Sequence, residues 1–215
     1  MVATLEGLRL VLADDHAVVR MGFCMLLEGA GAVVAAEAAS GEAALAAFAE
    51  HRPDVLVMDV TMPGLGGLGA LERLLARHPG ARVLMLSAHD DTQVPTRALK
   101  AGAAGYLSKR AQPTELVRAV GEVARGRRYV DPELASQLAL AQFGDGADPV
   151  DALTDKEFAV FLQLAKGRDV RQVADSQRVS ASTVGTHLYH IKQKLQAANS
   201  AQLALIAVRA GLIEA

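Results

Sequence analysis

The sequence predicts an α/β domain with a doubly wound, five-stranded parallel sheet of the flavodoxin-like type, followed by an all-α helix-turn-helix domain. Up to about residue 125, five short apolar runs alternate with five segments of helical periodicity. Parallel strands joined by crossover helices have this pattern. After residue 150, the apolar residues follow the helical period alone, so no further strand is needed.

The predicted strands are short and apolar because helices cover both faces of such a sheet. The third is the clearest, since Val55 to Met58 is a continuous apolar run that ends in a single carboxylate, Asp59. The five strands are residues 8–13, 33–37, 55–59, 82–87 and 104–108, and the helices are residues 18–27, 41–48, 68–77, 92–101 and 113–124.

Changes in composition mark the domain boundaries. Residues 127–129 close the α/β domain, which we place at residues 1–128. A linker at residues 129–150 contains a helix that starts at Asp131-Pro132, and it ends in a loop of acids, glycines and a proline. The helical domain is then residues 151–215.

The composition argues against several classes of protein. The 215 residues carry a net charge of −2 and the pI is about 6.3, so no overall field favours nucleic acid or a membrane surface. The single cysteine, Cys24, offers no disulfide framework or metal site and suits a reducing cytosol. No apolar run is long enough to span a membrane and no leader is evident, so we expect a soluble, cytoplasmic protein.

Five chemically active side chains fall at the carboxyl ends of four predicted strands. Asp14 and Asp15 follow the first strand, Asp59 ends the third, and Ser87 and Lys109 lie at the ends of the fourth and fifth. Neighbouring strands are about 4.8 Å apart, so these side chains should converge. Three carboxylates repel one another unless a cation lies between them, and an all-oxygen ligand set favours Mg²⁺. With a hydroxyl and an ammonium beside them, they suit phosphoryl transfer to a carboxylate.

Each of these residues also has an ordinary structural interpretation. Asp14 and Asp15 could begin a helix, Asp59 could cap a loop, and Ser87 could cap the helix after it. Lys109 could be a solvated surface lysine. The functional interpretation is favoured because all five fall at strand ends along one sheet edge.

The residues around these positions resemble the receiver domain of bacterial two-component response regulators over residues 8 to about 125. The motifs are Asp14-Asp15-His16, residues 57–63, residues 86–90 and residues 105–109. The resemblance implies that Asp59 accepts a phosphoryl group from a histidine kinase. It also implies that Asp14, Asp15 and the backbone carbonyl of Thr61 hold Mg²⁺ together with Asp59.

The same resemblance assigns roles to residues of the later strands. The Ser87 hydroxyl and the Lys109 ammonium would bind the phosphoryl oxygens, and Tyr106 would rotate with Ser87 as the switch on activation. One departure is Gly66, where the family often has Asp, but it lies outside the phosphate-binding set. His16 and His89 also fall near the pocket, and either could relay the phosphoryl group. The alternatives are that His16 starts the first helix and that His89 sets the size of its loop.

The carboxyl-terminal helices have clear start signals. Thr154 with Glu157 three residues later is a capping box, Asp169 caps residues 170–177, and Ser180 caps residues 181–195. Within the third helix an apolar stripe is formed by Val184, Leu188, Ile191 and Leu195. A short helix, a tight turn and a longer helix with a polar outer face is a helix-turn-helix, whose second helix enters the DNA major groove.

Local charge agrees with DNA binding. No Asp or Glu occurs from Ser176 to Ile213, and the basic residues there are Arg178, Lys192, Lys194 and Arg209. A helical dimerisation domain with an ordinary solvated face is the alternative.

The motifs in this region resemble the LuxR-type output domain of the NarL/FixJ regulators over about residues 151–213. The resemblance implies that the helix at residues 181–195 reads the groove. The expected DNA contacts are Ser182, Thr183, Gly185, Thr186, Tyr189, His190, Lys192 and Lys194. The last helix would supply a dimer surface of Ala201, Ala204 and Val208, with Ser200 as its cap, although core packing is an alternative use.

Several positions depart from that family. Gly185 and Tyr189 replace residues that are usually basic, and Ser200 and Lys156 replace common arginines. A glycine inside a helix also costs about 1 kcal/mol relative to alanine. The helix therefore makes fewer phosphate contacts, or its DNA binding is weakened.

Together these observations predict a phosphorylation-controlled DNA-binding transcriptional regulator with Mg²⁺ as cofactor. Its partners would be promoter DNA, a sensor histidine kinase and a second copy of itself when active. It would not be an enzyme beyond its own phosphorylation and dephosphorylation. The alternatives are a receiver-based interaction regulator without DNA binding and a free-standing aspartyl phosphatase.

Overall fold

Short apolar runs and amphipathic segments alternate along the first part of the chain and fold around one parallel sheet. A computed structural model of the protein describes residues 4–88, 93–141, 149–210 and 212–213. The strands are β1 (Arg9–Ala13), β2 (Val33–Ala38), β3 (Val55–Asp59), β4 (Val83–Ser87), β5 (Gly105–Ser108) and β6 (Tyr129–Val130). The helices are α1 (Ala17–Gly29), α2 (Gly41–His51), α3 (Gly66–Arg77), α4 (Gln93–Lys100), α5 (Pro113–Ala124) and α6 (Pro132–Ala141).

The strand order is β2-β1-β3-β4-β5-β6 and every pairing is parallel, which confirms the flavodoxin-like order. β3 and β4 are buried along their whole length, as expected for central strands with helices on both faces. Their carboxyl ends therefore lie at the middle of one sheet edge, where Asp59 pairs in register with Leu86.

The sixth strand corrects the prediction of a five-stranded sheet. Tyr129 and Val130 pair with Gly105 and Tyr106 of β5. The phenol of Tyr129 also donates a hydrogen bond to Glu115 of α5. A two-residue strand has neither alternation nor an apolar run, so the sequence pattern gives no sign of it.

The predicted helices of this unit are present, and their ends differ from the prediction by at most about three residues. Residues 89–92, which include His89 and the first residue of the helix predicted at 92–101, lie outside the described residues. So do residues 144–148 of the loop predicted at residues 144–149. In the part of the chain that is described, no helix has both the length and the apolar composition to cross a bilayer.

In its described residues after α6, the second unit contains helices and no strand. This part begins with a 3-10 turn at Pro149–Ala152. The helices that follow are α7 (Asp155–Ala165), α8 (Val170–Gln177), α9 (Ala181–Leu195) and α10 (Ser200–Arg209). Phe158 and Phe161 of α7 are fully buried. Three residues of the predicted α9 stripe, Val184, Ile191 and Leu195, are buried, and Leu188 is half-buried.

Most predicted helix starts of this unit are confirmed. The Thr154 hydroxyl accepts a hydrogen bond from the Glu157 N–H at 3.3 Å, and the Glu157 carboxylate accepts one from the Thr154 N–H at 2.8 Å. Asp169 forms a second capping box with Gln172, and the Ser180 hydroxyl caps α9. Asp169 and Ser180 fix where α8 and α9 begin, and the left-handed conformation of Arg178 ends α8. Together they set the geometry of the helix-turn-helix.

The cap of α10 is Asn199, not Ser200 as predicted. The Asn199 Oδ1 accepts a hydrogen bond from the Gln202 N–H at 2.9 Å, and Ser200 is the first helical residue. Asn and Ser have similar preferences for the cap position, so adjacent candidates cannot be separated by residue type alone.

Candidate phosphoacceptor pocket and DNA-binding helix

Three polar side chains are buried at the carboxyl edge of the sheet. Asp14, Asp59 and Ser87 expose 1%, 2% and 0% of their surface. Each directly follows or ends a strand of apolar residues, which carries the polar group into the edge of the core. A carboxylate that is buried to this degree needs a partner for its charge.

Lys109 is that partner for two of the acids. Its Nζ lies 2.6 Å from Asp14 Oδ2 and 2.8 Å from Asp59 Oδ2. Burial raises the pKa of Asp59 above its ordinary value, although the hydrogen bond and charge of Lys109 act in the opposite direction. Burial acts to lower the pKa of Lys109, but its bonds to the two carboxylates outweigh this and raise it.

Hydrogen bonds fix both the side chain and the backbone of Asp14. Its Oδ1 accepts a hydrogen bond from the His16 N–H at 2.8 Å, and its own N–H donates to the Ala38 carbonyl at 3.0 Å. Its carbonyl oxygen accepts a hydrogen bond from Arg20 Nη1 at 2.5 Å. The position of the Asp14 carboxylate is therefore fixed from β2, from α1 and from Lys109.

Asp15 and His16 form the outer side of the pocket. The Asp15 Oδ1 lies 2.9 Å from the His16 Nδ1, and both residues are exposed. One potential ligand atom each from Asp14, Asp15, His16 and Asp59 lies within 4.8 Å of the others. The three carboxylates match the hard oxygen donors that Mg²⁺ prefers, whereas an imidazole suits transition metals better. The acidic cluster therefore fits Mg²⁺.

The loop after β3 passes close to Asp59. The Thr61 N–H donates a hydrogen bond to Asp59 Oδ1 at 3.1 Å. A Cβ atom on Gly67 would lie 2.1 Å from the Asp59 carbonyl oxygen, so only glycine fits at this position. Gly66 just before it has φ of +68°, which also favours glycine. The positive φ is a structural reason for glycine at position 66, where the resemblance led us to expect Asp.

Two further predicted residues lie next to this site. The Ser87 carbonyl accepts a hydrogen bond from the Lys109 N–H at 2.7 Å, which joins the ends of β4 and β5. Tyr106 is 1% exposed and lies in β5, which is separated from the Asp59 strand by β4. The sheet thus brings Ser87 and Lys109 together with the acids, and it buries the predicted switch tyrosine.

Most of the predicted DNA contacts are on the outer face of α9. Ser182, Thr183, Gly185 and Thr186 are exposed, and the side chain of Tyr189 is 62% exposed. Nothing lies within 4 Å of a Cβ atom built on Gly185. These positions are therefore open to a ligand.

The predicted contacts at the carboxyl end of α9 differ from the rest. Lys194 Nζ lies 2.6 Å from Glu157 Oε2, and His190 Nδ1 lies 3.8 Å from Glu157 Oε1. Lys192 is half-buried. Burial acts to raise the pKa of Glu157, but the hydrogen bonds from Lys194 and Thr154 outweigh it and lower the pKa. Lys194 therefore ties α9 to α7, a role that the sequence did not indicate.

Two residues of the phosphoacceptor pocket were not foreseen. Gly67 follows other glycines, so no pattern in the sequence indicated that a Cβ there would collide with the backbone of Asp59. Arg20 lies one helical turn after His16, and a cation at that distance from two acids was the only available signal. Both act on the backbone of an acid, and sequence patterns report side chains.

Two family descriptions match the chain. The response regulator receiver domain matches residues 10–121, and the luxR family of bacterial regulatory proteins matches residues 151–207. Both describe regulatory proteins, and neither match supports the phosphatase or the interaction-module alternative.

Proteins similar in sequence match nearly the whole chain. The response regulator GacA of Pseudomonas viridiflava is 40% identical over 97% of this chain and 99% of its own length. The response regulator UvrY of Escherichia coli K12 is 35% identical over 97% of each chain. The structure of RcsB from Salmonella enterica serovar Typhimurium, bound to the promoter rprA with a beryllofluoride phosphomimetic, has a TM-score of 0.70. It covers 94% of this chain and 99% of that one at 22% identity, which supports the fold. The chain therefore belongs to the response regulators that join a receiver domain to a LuxR-type DNA-binding domain.

Proposed function

We propose that this protein is a transcription regulator in which phosphorylation of Asp59 controls the binding of promoter DNA by α9. The observation that carries the proposal is the placement of Asp59. Its buried carboxylate lies 2.8 Å from Lys109 Nζ, beside two further acids whose oxygens fit Mg²⁺. In this proposal a sensor histidine kinase supplies the phosphoryl group.

The chemistry of the pocket is one phosphoryl transfer. An Asp59 oxygen attacks the phosphorus of a phosphohistidine, the phosphorus–nitrogen bond breaks, and its electron pair goes to the imidazole. A bound Mg²⁺ supplies charge neutralisation at the transferring oxygens. Asp14, Asp15 and the Thr61 carbonyl would hold that ion together with Asp59.

Lys109 and Ser87 complete the pocket in this proposal. Lys109 Nζ already reaches both Asp14 and Asp59, so it can donate to a phosphoryl oxygen carried by Asp59. The Ser87 hydroxyl, at the end of the adjacent strand, supplies a second donor. Movement of Ser87 toward the new oxygen would take Tyr106 with it as the switch.

The DNA-binding side rests on α9. Ser182, Thr183, Gly185, Thr186 and Tyr189 form the face that would enter the major groove. His190, Lys192 and Lys194 lie in the next five residues of α9, and Lys194 is also bound to Glu157. Such a protein works where the chromosome lies, in the bacterial cytoplasm.

We also propose that the active form is a homodimer. Ala201 of α10 is exposed and Ala204 and Val208 are half-buried, whereas Leu203 and Ala207 are buried in the core. Among the described residues, this face of α10 is therefore partly accessible to a second copy. A dimer would double the few phosphate contacts of one α9. The domain boundaries remain our proposal at residues 1–128, 129–150 and 151–215.

One experiment tests the first half of the proposal. Incubation with Mg²⁺ and acetyl phosphate should add one phosphoryl group, detected by intact-protein mass spectrometry, and Asp59→Asn should prevent it. Asp54→Asn, at the half-buried residue just before β3, is the matched control and should leave it unchanged. Phosphorylation of Asp59→Asn to the wild-type level would contradict the assignment.

A second experiment tests the switch. Footprinting on the upstream region of the protein's own gene and on sites selected from random DNA should show protection that tightens with beryllofluoride and Mg²⁺. Asp59→Asn should lose that gain. Equal protection with and without beryllofluoride would contradict control by phosphorylation, and no selected site at all would contradict DNA binding.

A further inference from the structure

Arg20 of α1 joins the acidic pocket to the neighbouring strand β2. Its Nη1 donates to the carbonyl of Asp14 at 2.5 Å, and its Nε donates to Glu37 Oε2 at 2.8 Å. The side chain of Arg20 is 17% exposed, although that of Glu37 is 50% exposed. A guanidinium held by both a carbonyl and a carboxylate has a defined orientation, because its donors form a rigid fork.

The two contacts fix the segment that carries the pocket acids. Glu37 pairs with Leu12 in the register of β2 and β1, so it belongs to the rigid sheet. The Asp14 carbonyl belongs to the peptide group that joins Asp14 to Asp15. Arg20 therefore connects the sheet to the one peptide plane whose orientation sets the direction of both acids.

The charge of Arg20 acts in the same direction. Asp14, Asp15 and Asp59 place three carboxylates close together, and Lys109 contacts only Asp14 and Asp59 among them in the described contacts. Arg20 is a second cation near these acids, and its charge offsets the repulsion among the three carboxylates. It leaves their oxygens free for a metal ion, because it binds the carbonyl of Asp14.

We propose that Arg20 is a positioning residue that orients Asp14 and Asp15 for a divalent cation, and that Glu37 holds Arg20 in place. This inference rests on the proposed Mg²⁺ site. Partners that orient metal ligands from outside the coordination sphere typically contribute 10- to 100-fold in metal affinity when they are mutated. Arg20→Met should therefore weaken Mg²⁺ binding by about 10-fold or more.

The test measures Mg²⁺ affinity of the full chain by isothermal titration calorimetry, together with the melting temperature without metal. Arg20→Met should bind Mg²⁺ more weakly, Glu37→Gln should give a smaller loss, and Arg20→Lys should restore part of the affinity. Arg77→Met removes the same charge from the exposed end of α3 and should bind Mg²⁺ as the wild type does.

A kinetic readout separates positioning from a general loss of structure. The rate of phosphorylation by acetyl phosphate should fall for Arg20→Met at low Mg²⁺ and return close to the wild-type rate at saturating Mg²⁺. Wild-type Mg²⁺ affinity in both Arg20→Met and Glu37→Gln would overturn the positioning role of Arg20 and leave the proposed metal site intact. No Mg²⁺ binding by the wild type would overturn the proposed metal site as well. If Arg20→Met does not fold, wild-type affinity in both Arg20→Lys and Glu37→Gln would overturn the inference.

Discussion

At the scale of single residues, the site depends on charges that the fold removes from water. Asp59 and Asp14 are buried yet paired by one lysine, and Glu157 is buried yet paired by another. The same arrangement serves two purposes. In the sheet unit it holds the buried carboxylate of Asp59, the proposed phosphoacceptor, and in the helical unit it joins α7 to α9.

The Glu157–Lys194 pair should make stability depend on pH. Because the folded-state pKa of Glu157 is lowered, its contribution is present above its ordinary value of 4.5 and is lost as the pH falls through the folded-state pKa. Urea unfolding of the helical unit at several pH values should show this loss, and Glu157→Gln should weaken the dependence.

Loss of the lysine gives a second test of the same pair. Lys194→Met should lower the free energy of unfolding by about 2 kcal/mol at neutral pH, because a charged hydrogen bond is lost at a buried acid. Lys192→Met, two residues earlier, is the matched control and should change stability less. Equal stability of Lys194→Met and the wild type would show that the pair contributes nothing.

Cys24 should be unreactive in the folded protein. Burial, with the nearby charge of Glu37 and Glu28, raises the pKa of its thiol to about 11, and only 8% of the residue is exposed. At pH 8 the thiolate is therefore scarce and protected. Alkylation by iodoacetamide should be much slower in buffer than in denaturing urea, and similar rates would contradict the burial of this residue.

At the scale of elements, two glycines show opposite reasons for their presence. Gly67 is the second residue of α3, where any Cβ would collide with the Asp59 carbonyl, whereas Gly185 lies in α9 with open space around it. Gly185 has no fold-based reason to be glycine. Gly185 is exposed on the outer surface of α9, and in the proposed function a side chain there would face DNA.

Alanine substitutions should separate these two positions. Gly185→Ala should raise the free energy of unfolding by about 1 kcal/mol, since alanine is the better helix former and nothing blocks its methyl group. Gly67→Ala should destabilise the protein and slow phosphorylation, because the end of β3 must shift. Thermal unfolding of both variants checks this, and destabilisation by Gly185→Ala would contradict it.

The strands, the helices and the acids could be predicted because each leaves a signal in residue type and spacing. Val55 to Asp59 is read as a buried strand with a reactive end, and the structure has that strand. The missing features are of another kind. β6 is too short for a period, and the α10 cap is a choice between adjacent equivalent residues. The partner of Lys194 depends on a contact 37 residues away along the chain.

At the scale of the whole molecule, the chain consists of two units with separate cores. Each has its own buried residues, Leu84 and Val120 in the first and Phe158 and Ile191 in the second. A ligand that binds only the folded sheet unit stabilises only that unit directly.

Mg²⁺ should therefore shift one of two unfolding transitions. At 100 times its dissociation constant, it should raise the free energy of unfolding of the sheet unit by about 2.7 kcal/mol and leave the helical unit nearly unchanged. Calorimetry with and without Mg²⁺ measures this, and Asp59→Asn should show a smaller shift. An equal shift of both transitions would mean that the two units unfold together.

The short strand β6 has a mechanical consequence. It is the last piece of sheet before the chain leaves the first unit, and the N–H of Asp131, just beyond it, donates to the carbonyl of Tyr106 at 3.2 Å. The segment that leads to the second unit is thus hydrogen-bonded, at its start, to the backbone of the proposed switch residue. A displacement of β5 at Tyr106 would therefore pull, through this hydrogen bond, on the residue just before α6.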